Sequence, residues 1–359
     1  MLSGNKGEWS EIYVFLKLLA EGKLYAADAS LNVIPTIYYP IIKILRQESG
    51  NKLEYLIDST IKLIDGSTNI ELLNLPISQF LTKSQELFKE LKTSVGSSFS
   101  FPEIELFLNE IGIKTLVAVS TDKSDIHIVV HDLNTGMKPK LGFSIKSMIG
   151  ENSTLFNAGN ATNFIYELIG EGELDIKILN EIETSPKIAN RIKSIKEKKF
   201  TLQFNDIQSK TLKLNLQLID SDLPKILAEL LLIKYSNSGT ASVYGTLQFL
   251  IDSNPLNYNL SLGHPFYEYK IKNFLTDAAL GMTPASIWKG TYDATGGIII
   301  VKDNGELVCY HIYNRNEFQE YLLKNTRIEQ AGTSRYGFGE IYEENGRKFM
   351  KLNLQIRFN

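Results

Sequence analysis

Residues 124–147 read SDIHIVVHDLNTGMKPKLGFSIKS, two short apolar runs separated by a polar turn that contains NTG. The runs at 126–130 and 141–145 predict β-strands, because β-branched and apolar residues bounded by turn residues are typical of strands. If the strands pair as an antiparallel hairpin, Asp125 at the start of the first and Lys146 at the end of the second lie at the same end of the sheet. The segment therefore predicts a small sheet with a carboxylate beside an ammonium group.

This pair of side chains indicates phosphodiester chemistry. A carboxylate holds Mg²⁺, the metal neutralises charge on the phosphate and activates water, and a cation orients that water or shares the charge. The spacing alone is a weak signal, because an aspartate that opens a strand is ordinarily a turn residue and a lysine at a strand end ordinarily faces solvent. Two features strengthen the hypothesis: Ser144 shares a strand face with Lys146, and a helix with Glu8 and Glu11 precedes the hairpin. The sequence thus predicts a metal-dependent site for phosphodiester hydrolysis.

The N-terminal segment predicts a helix followed by another hairpin. Apolar residues recur at three- and four-residue spacing over 8–21, and Gly22 offers a C-terminal stop. Two β-rich runs within 38–58 flank the turn sequence ESGN at 48–51. Pro40 in the first run predicts an edge strand, because proline cannot donate a hydrogen bond to a neighbouring strand.

The remaining chain mixes helical patterns with short strands. Asn304-Gly305 lies between two β runs in GGIIIVKDNGELVCYHIY, residues 296–313, and predicts a hairpin. Further helices are predicted at 77–91, 103–111, 162–169, 186–195 and 223–234, and further strands at 115–120 and 349–358. These elements predict an α/β (α+β) fold, in which a central mixed sheet carries the 124–147 hairpin and helices flank the sheet.

The polar sequence SNSG at 236–239 suggests a boundary. We expect residues 1–235 to form a nuclease core with an inserted N-terminal hairpin and helices. Residues 236–359 are expected to form a β-rich region that packs on this core and contributes to DNA recognition.

Composition restricts the class of protein. With 359 residues, 43% of them hydrophobic, the chain can bury a substantial core, and a net charge of −3 argues against a protein that holds DNA by bulk charge. The local run of basic residues at 187–199 favours a solvated helix face over a phosphate-contacting surface. No apolar run reaches the ~18 to 20 residues of a membrane span, and charged residues interrupt the first helix, so we expect neither a span nor a signal peptide and place the protein in the cytoplasm.

Cysteine and histidine chemistry is not indicated. The single cysteine, Cys309, lies in an apolar strand pattern, where a buried inert thiol is expected rather than a nucleophile. His127 and His131 alternate with the apolar face of the strand that follows Asp125, and their spacing suggests structural roles rather than a zinc site.

The order of these motifs resembles the PD-(D/E)xK nuclease fold, in which a helix with a glutamate precedes a hairpin that bears an aspartate and an acid-x-lysine triplet. More narrowly, the chain resembles the HpaII-type family of type II restriction endonucleases. The matching segments run from end to end of the chain and are GNKGEWSEIYVFLKLLAEGKLYAAD at 4–28, SDIHIVVHD at 124–132, GFSIKSMIGENSTLFNAGNATNF at 142–164, NTRIEQAGTSRYGFGEIYEENG at 325–346 and KLNLQIRF at 351–358.

The resemblance implies roles for residues of the hairpin. Asp125 takes the position of the metal-ligating aspartate and Lys146 that of the catalytic lysine, and Ile145 is included in the metal site. Ser144 occupies the position of the second acid, which departs from the general pattern, because a hydroxyl is a poor Mg²⁺ ligand beside a carboxylate. The missing charge is expected from the first helix, with Glu11 favoured over Glu8, and the alternative for either glutamate is a solvated helix face.

Contacts to DNA are expected in two later segments. Bidentate arginine to guanine is the commonest specific contact, and a surface salt bridge is the alternative for each arginine. For the polar segment after Lys146 the alternative to a backbone contact is helix capping. The candidates for base reading are Arg335 and Tyr336, then Arg327 and Arg315, and those for backbone contacts are Thr154, Asn157, Thr162 and Asn163.

The resemblance implies a Mg²⁺-dependent endonuclease that cuts double-stranded DNA at a short palindrome, of the CCGG type, with a DNA methyltransferase as its genetic partner. A symmetric target favours a two-fold homodimer, and a monomer that cuts the strands in turn is the alternative. Two other functions stay open at this point: a structure-specific repair or junction-resolving nuclease, and a catalytically inactive DNA-binding protein, which Ser144 in place of an acid would suit.

Overall fold

A computed structural model describes residues 1–118, 124–236, 241–332 and 336–359. The fold is mixed α/β, and the chain divides into two compact units. Unit 1 consists of Met1–Ser153, Ala279–Gly281 and Tyr292–Tyr321, and unit 2 of Thr154–Ala278, Met282–Thr291 and Leu322–Asn359. Among the described residues, no helix is both long and apolar enough to cross a membrane.

The helices and strands are given in chain order. Before residue 154 they are α1 (Lys6–Glu21), β1 (Lys23–Ala27), β2 (Val33–Glu48), β3 (Asn51–Ile57), β4 (Ile61–Asp65), β5 (Glu71–Leu75), α2 (Ile77–Thr93), α3 (Pro102–Glu110), β6 (Ile126–Val130) and β7 (Lys140–Ser147). From Thr154 onward they are β8 (Thr154–Phe156), β9 (Asn163–Ile169), α4 (Ile176–Asn180), α5 (Lys187–Glu197), β10 (Thr201–Ile207), α6 (Lys210–Ile219), α7 (Leu223–Ser236), α8 (Val243–Ser253), α9 (Phe266–Leu280), β11 (Gly297–Val301), β12 (Leu307–His311), α10 (Arg315–Lys324), β13 (Thr326–Ile328), β14 (Ile341–Glu344), β15 (Arg347–Asn353) and β16 (Ile356–Phe358).

The sheet of unit 1 is mixed, as the sequence predicts. In the described part of the chain its strand order is β1-β12-β11-β7-β6-β2-β3-β4-β5, and β1 also pairs with β2. Strands β6 and β7 form the predicted antiparallel hairpin, and β11 lies parallel to β7 on its other side. Strands β11 and β12 form the predicted hairpin around Asn304-Gly305. The segment with Asp125 and Lys146 is therefore in the interior of the sheet, with a paired strand on each side.

Helix α1 packs on this sheet because its apolar residues recur with helical spacing. Its N-terminus is closed by a capping box, in which Asn5 Oδ1 accepts a hydrogen bond from the Glu8 N–H and the Glu8 carboxylate accepts one from the Asn5 N–H. The helix ends at Gly22, whose φ of 65° lies in the left-handed region that glycine adopts without strain. The buried side chains Trp9, Ile12 and Leu16 join the hydrophobic core of the sheet.

The prediction that Pro40 marks an edge strand is wrong. Strand β2 is interior and changes partners near this residue: Pro40 faces Lys23 of β1, and Ile41 pairs with Val130 of β6. The carbonyl of Pro40 accepts a hydrogen bond from His131 N (2.8 Å). Because the ladder is interrupted by a register shift after Ile41, the strand accommodates a residue that has no N–H to donate.

Unit 2 contains, among its described residues, a sheet of order β10-β9-β15-β14 and another of order β13-β16-β8. The helix predicted at 162–169 is wrong, because residues 163–169 form the central strand β9, paired with β10 and with β15. The strand predicted at 349–358 is confirmed as two strands, β15 and β16, separated by a short break. The helices predicted at 186–195 and 223–234 are confirmed as α5 and α7.

Some of the other predicted elements and boundaries are present in the structure, and others are not. Helices α2 and α3 and the hairpin β2–β3 lie where the sequence predicts them, whereas residues 115–118 form no strand and 119–120 fall outside the described residues. The two units do not divide at the expected boundary of 235/236, and part of the proposed turn there, 237–239, also lies outside the described residues. The region 236–359 is not simply β-rich, because α8, α9 and α10 lie within it.

A glycine at the start of β11 permits a close backbone approach that an alanine would prevent. Gly297 has φ of 114°, and a Cβ at this position would lie 2.0 Å from the carbonyl oxygen of Tyr310 in β12. We expect Gly297→Ala to lower the free energy of unfolding by at least about 3 kcal/mol, because both the strained φ and the clash must be relieved. The matched control is Gly50→Ala, where φ is 88° but nothing lies within 4 Å. Urea unfolding of both variants measures the difference, and equal midpoints would contradict the prediction.

Candidate active site

The register of the β6–β7 hairpin places Asp125 against the middle of β7. Ile126 pairs with Phe143, and the Asp125 N–H donates to the Phe143 carbonyl oxygen (2.9 Å). The Asp125 side chain then accepts two hydrogen bonds at Oδ2, from the Ile145 N–H (2.6 Å) and from Ser144 Oγ (3.1 Å). Its other oxygen, Oδ1, accepts no hydrogen bond from the described residues. The carboxylate is thus fixed by one oxygen and free to bind a ligand with the other.

Ser144 joins the aspartate to the lysine. Its hydroxyl donates to Asp125 Oδ2 and accepts a hydrogen bond from Lys146 Nζ (2.8 Å). Ser144 is buried and Lys146 is partly exposed, so the chain of hydrogen bonds runs from the protein interior toward solvent. The Ser144 hydroxyl therefore orders the two neighbouring charged groups.

Helix α1 brings a second carboxylate to the same place. Ser10, fully buried on this helix, lies within hydrogen-bond distance of Ser147 Oγ at the end of β7 (2.9 Å), which fixes the helix against the hairpin. The next residue, Glu11, has a buried carboxylate oxygen, Oε2, with no hydrogen-bond partner among the residues that the structure describes. Burial, and next the negative charge of Asp125, raise the pKa of the Glu11 carboxyl to about 8. An orphaned buried oxygen is costly for a folded protein unless a ligand or a proton binds there.

Glu8 lies one turn earlier and has a different role in the structure. Its carboxylate accepts the Asn5 N–H (2.7 Å) in the helix cap. Glu8 is not among the described residues that line the cavity beside Asp125, whereas Glu11 is. The structure therefore brings together Asp125, Ser144, Lys146 and Glu11.

The cavity beside these groups has a volume of about 260 Å³ and is entirely within unit 1. Apolar side chains form part of its wall, and Arg46, Lys52 and Lys140 place three cations around it. A cavity lined by both carboxylates and cations suits a substrate that is itself an anion and is bound together with a metal cation.

The residues present fit a hard divalent cation. Magnesium binds through one or two carboxylates and keeps several waters, and Asp125 Oδ1 and Glu11 Oε2 are two carboxylate oxygens without hydrogen bonds from described residues. Within the described ranges no group of three or more His, Cys, Asp or Glu side chains is placed to hold a metal. The site thus matches an ion with few protein ligands rather than a closed structural metal site.

Sequence reasoning missed Arg46. This side chain is 8% exposed, lies on β2, and lines the cavity together with Glu11 and Asp125. A signal was present in the sequence, because Ile44, Arg46 and Glu48 occupy alternate positions of one strand and therefore share a face. An arginine on the apolar face of a strand indicates a buried charge that needs a partner.

Two of the residues predicted to contact DNA are buried instead. Thr162 and Asn163 have no exposed surface. Thr162 Oγ1 donates to the Gly159 carbonyl oxygen (3.1 Å), and Asn163 Nδ2 donates to Gln208 Oε1 (3.0 Å) and to the Tyr336 carbonyl oxygen (2.8 Å). Both side chains stabilise loops of unit 2, and this burial does not favour the predicted contact with DNA.

The other predicted DNA contacts are distributed over both units. Asn157 and Arg315 are exposed, and Thr154 is half-buried at the start of β8. Arg327 forms an ion pair with Glu329 (2.8 Å), which matches the alternative given for it. Tyr336 is partly exposed with φ of 66°, and Arg335 lies outside the described residues.

The histidines and the cysteine have the structural environments that the sequence indicates. His127 Nε2 lies 3.1 Å from Ser124 Oγ, and the His131 N–H bonds to the Pro40 carbonyl. Cys309 is fully buried, which raises the pKa of its thiol well above the ordinary value. His127 also lines the cavity beside Asp125, whereas Cys309 does not.

The basic run at 187–199 is a helix with one buried member. Arg191 is 1% exposed and donates to the main-chain carbonyls of Asn180 and Gly339, so this residue stabilises unit 2 rather than a charged surface. Lys193 on the same helix is exposed, as expected for a solvated face.

Comparison with known proteins gives a consistent result over the whole chain. A sequence model of the family described as HpaII restriction endonuclease matches residues 5–358. A curated relative, the type II restriction enzyme HpaII of Haemophilus parainfluenzae, is 46% identical over 357 residues, which cover 99% of this chain and 98% of the relative. No solved structure matches the chain.

Proposed function

The chain belongs to the HpaII restriction endonuclease family, and from this premise we propose that Asp125, Lys146, Ser144 and Glu11 form its active site. It is a type II restriction endonuclease, a site-specific deoxyribonuclease whose substrate is double-stranded DNA. The observation that carries the site is the convergence of Asp125, which has one oxygen without a hydrogen bond from described residues, with the orphaned buried oxygen of Glu11.

We assign the β6–β7 hairpin as the catalytic hairpin of a PD-(D/E)xK nuclease. The support is the order of the elements along the chain. A helix with Glu11 comes first, then a strand that begins after Asp125, and then a strand that contains Ser144-Ile145-Lys146 next to its last residue. Ser144 replaces the second acid of the general pattern. Glu11 supplies the carboxylate that Ser144 lacks, and Glu8 is assigned to the helix cap.

The metal is proposed to be Mg²⁺, held by Asp125 and Glu11. Ile145 is assigned to the same site because its N–H donates a hydrogen bond to the Asp125 carboxylate. The atom with which Ile145 would bind the metal is its main-chain carbonyl oxygen. When bound, Mg²⁺ neutralises charge on the phosphate and activates the attacking water. The structural support is the pair of carboxylates without enough protein hydrogen bonds to satisfy them.

The side chains around the metal site have separate tasks. Lys146 Nζ, held by Ser144 Oγ, is placed to orient the attacking water and to share the charge that develops on the phosphate. Ser144 keeps this ammonium group and the Asp125 carboxylate at a fixed separation. In the proposed reaction the water oxygen bonds to phosphorus, the bond between phosphorus and the 3′ oxygen breaks, and the products are a 5′-phosphate and a 3′-hydroxyl.

The target is proposed to be a short palindrome of the CCGG type, as the family resemblance implies. Base and backbone contacts are proposed for the candidates that the structure does not bury, namely Tyr336, Arg327, Arg315, Thr154 and Asn157. They are also proposed for Arg335, which lies outside the described residues. A two-fold homodimer is the proposed assembly, because it matches the symmetry of a palindrome. A DNA methyltransferase is the proposed genetic partner, and the cytoplasm the proposed location.

Cleavage of plasmid DNA tests the function directly. We expect discrete fragments with Mg²⁺ and none after the metal is removed with EDTA, and sequencing of the cut ends gives the target and the stagger. Folded protein that yields no fragments but binds DNA tightly would favour an inactive DNA-binding protein. Cleavage of branched DNA with linear duplex left intact would favour a junction-resolving enzyme.

Removal of the Lys146 ammonium tests its proposed role. We expect Lys146→Met to lower the single-turnover rate of DNA cleavage by about 10²- to 10³-fold, because a preorganised charge near the reacting phosphate is lost. The matched control is Lys302→Met at the end of the neighbouring strand β11, where Nζ is paired with Glu306 (2.5 Å). The proposal for Lys146 is contradicted if both variants cut at similar rates.

A further inference from the structure

Arg46 is the middle member of a row of buried side chains on one face of β2, and it lines the active-site cavity. Ile44, Arg46 and Glu48 point to one face of β2 and are 0%, 8% and 2% exposed. Ile44 belongs to the same hydrophobic core as the buried residues of α1. Helix α1, which carries Glu11, covers this face of the sheet. Arg46 therefore occupies a position where an apolar side chain would be expected.

The guanidinium group is held in one orientation. Its Nε donates to Glu48 Oε1 (2.6 Å), and its Nη2 donates to the carbonyl oxygens of Thr115 (2.5 Å) and Leu116 (3.2 Å). Glu48 is fixed in turn by Thr115 Oγ1 (3.0 Å) and the Lys114 N–H (3.4 Å). Arginine donors in such a fork are preorganised, so little side-chain entropy is lost when the group binds a further ligand.

Nη1 of this group differs from the other two nitrogens. Among the described residues Nη1 has no hydrogen-bond partner, and Arg46 lines the cavity that Glu11 and Asp125 also line. Burial raises the pKa of Glu11, and the positive charge of Arg46 offsets part of that rise, which is the effect expected of a cation close to that carboxylate. A buried ion pair is often no more stable than apolar side chains of equal volume, so packing alone gives little reason for an arginine here.

We propose that Arg46 is a further catalytic residue, whose Nη1 donates a hydrogen bond to a non-bridging oxygen of the phosphodiester that is cut. This inference rests on the proposed function of the same cavity. Guanidinium groups bind phosphate oxygens with charge-assisted hydrogen bonds. Arg46 lies on β2, and Lys146 on β7, so the two cations approach the phosphate from different strands of the sheet. The positive charge of Arg46 offsets the negative charges of Glu11 and Asp125, which would otherwise repel the phosphate.

Single-turnover cleavage by the full-length protein tests the proposal. The wild-type protein must first cut plasmid DNA with Mg²⁺, and its failure to do so would refute the function and not the role of Arg46. We expect Arg46→Gln to cut at least about 100-fold more slowly, the effect of losing one donor to a developing charge, and Arg46→Lys to recover part of the rate. The matched control, Arg191→Gln, removes another buried arginine that donates to main-chain carbonyls, and is expected to lower the unfolding midpoint with a cleavage rate within about threefold of wild type.

Substitution of sulfur for a phosphate oxygen tests whether Arg46 contacts the phosphate directly or only stabilises the fold around it. DNA with sulfur at either non-bridging oxygen of the cut phosphate is compared in wild type and in Arg46→Gln. In one diastereomer, we expect sulfur to lower the cleavage rate by a smaller factor in Arg46→Gln than in wild type. The reason is that the effects of two changes are not additive when the changed groups contact each other. If Arg46→Gln is unfolded by circular dichroism, Arg46→Lys is used for the same comparison. Sulfur effects equal to those of wild type for both diastereomers, or a folded Arg46→Gln that cuts within threefold of wild type, would overturn the proposal.

Discussion

Asp125→Asn is expected to lower the single-turnover rate of DNA cleavage by about 10³- to 10⁴-fold. The variant keeps the shape of the side chain and an oxygen that accepts the Ile145 N–H, but it loses the charge that we propose holds the metal. Charge stabilisation by a bound metal contributes several kcal/mol, and about 1.36 kcal/mol corresponds to a factor of ten in rate. Rates are measured on linear plasmid DNA at saturating enzyme with Mg²⁺ present.

The control for this prediction is Asp132→Asn at the other end of β6. The Asp132 carboxylate accepts hydrogen bonds from the Asn134 N–H (2.9 Å) and from Thr135 Oγ1 (2.7 Å) within a turn. We expect a loss of about 1 kcal/mol in stability and cleavage close to the wild-type rate. An Asp125→Asn variant that cuts as fast as this control would remove Asp125 from the mechanism.

Glu11→Gln is expected to lower the cleavage rate by about 10²- to 10³-fold and at the same time to stabilise the metal-free protein. The amide keeps the volume of the side chain but cannot ionise, so the proposed metal site loses one of its two carboxylates. Loss of activity joined to a gain of stability is typical of a functional site that holds an unfavourable group. Cleavage assays with Mg²⁺ and chemical unfolding in EDTA measure the two effects.

The stability effect of Glu11 depends on pH in a defined direction. Its pKa is about 8 in the folded protein, against 4.5 for the unperturbed group. Between these values the folded state retains a proton that the unfolded chain has released, so the free energy of unfolding falls as the pH rises, by at most about 1.4 kcal/mol per pH unit. Glu11→Gln lacks this proton. We therefore expect the variant to exceed wild type in stability by more at pH 8 than at pH 5 in EDTA.

A matched control uses another glutamate of the same helix. Glu21 forms an ion pair with Lys17 (2.7 Å) and is partly exposed at the C-terminal end of α1. Glu21→Gln is expected to leave both the cleavage rate and the pH dependence of stability near those of wild type, because exposed ion pairs contribute about 0.3 to 0.5 kcal/mol. A stability difference between Glu11→Gln and wild type that does not change with pH would show that Glu11 is not the group that titrates.

Local sequence signals predicted the elements that surround the site. Helix α1 has apolar spacing, a capping box and a terminal glycine at Gly22, and these are signals that a short window contains. The hairpins β2–β3, β6–β7 and β11–β12 have apolar runs joined by turn residues, which specify strand and turn without reference to the rest of the chain. Asp125 and Lys146 could be placed at one end of a hairpin for the same reason.

Elements that depend on distant partners were not predictable in this way. Residues 163–169 have helix-compatible spacing but form strand β9, because β10 and β15 provide hydrogen-bond partners on both sides. Pro40 lies in an interior strand because β2 changes from β1 to β6 beside it. Thr162 and Asn163 are polar in sequence, yet they are buried where Gly159, Gln208 and Tyr336 satisfy their hydrogen bonds.

The first segment, 124–147, by itself determined a hairpin with a carboxylate and an ammonium group at one end, since strand periodicity and turn chemistry are local properties. Only the tertiary structure decided which other groups reach that end. Packing of α1 on the sheet buries Glu11 beside Asp125 and leaves Glu8 in the helix cap, and the place of β2 beside β6 brings Arg46 to the same cavity. These side chains come from positions far apart in the chain, and their burial, charge and missing hydrogen bonds arise only when the sheet is assembled.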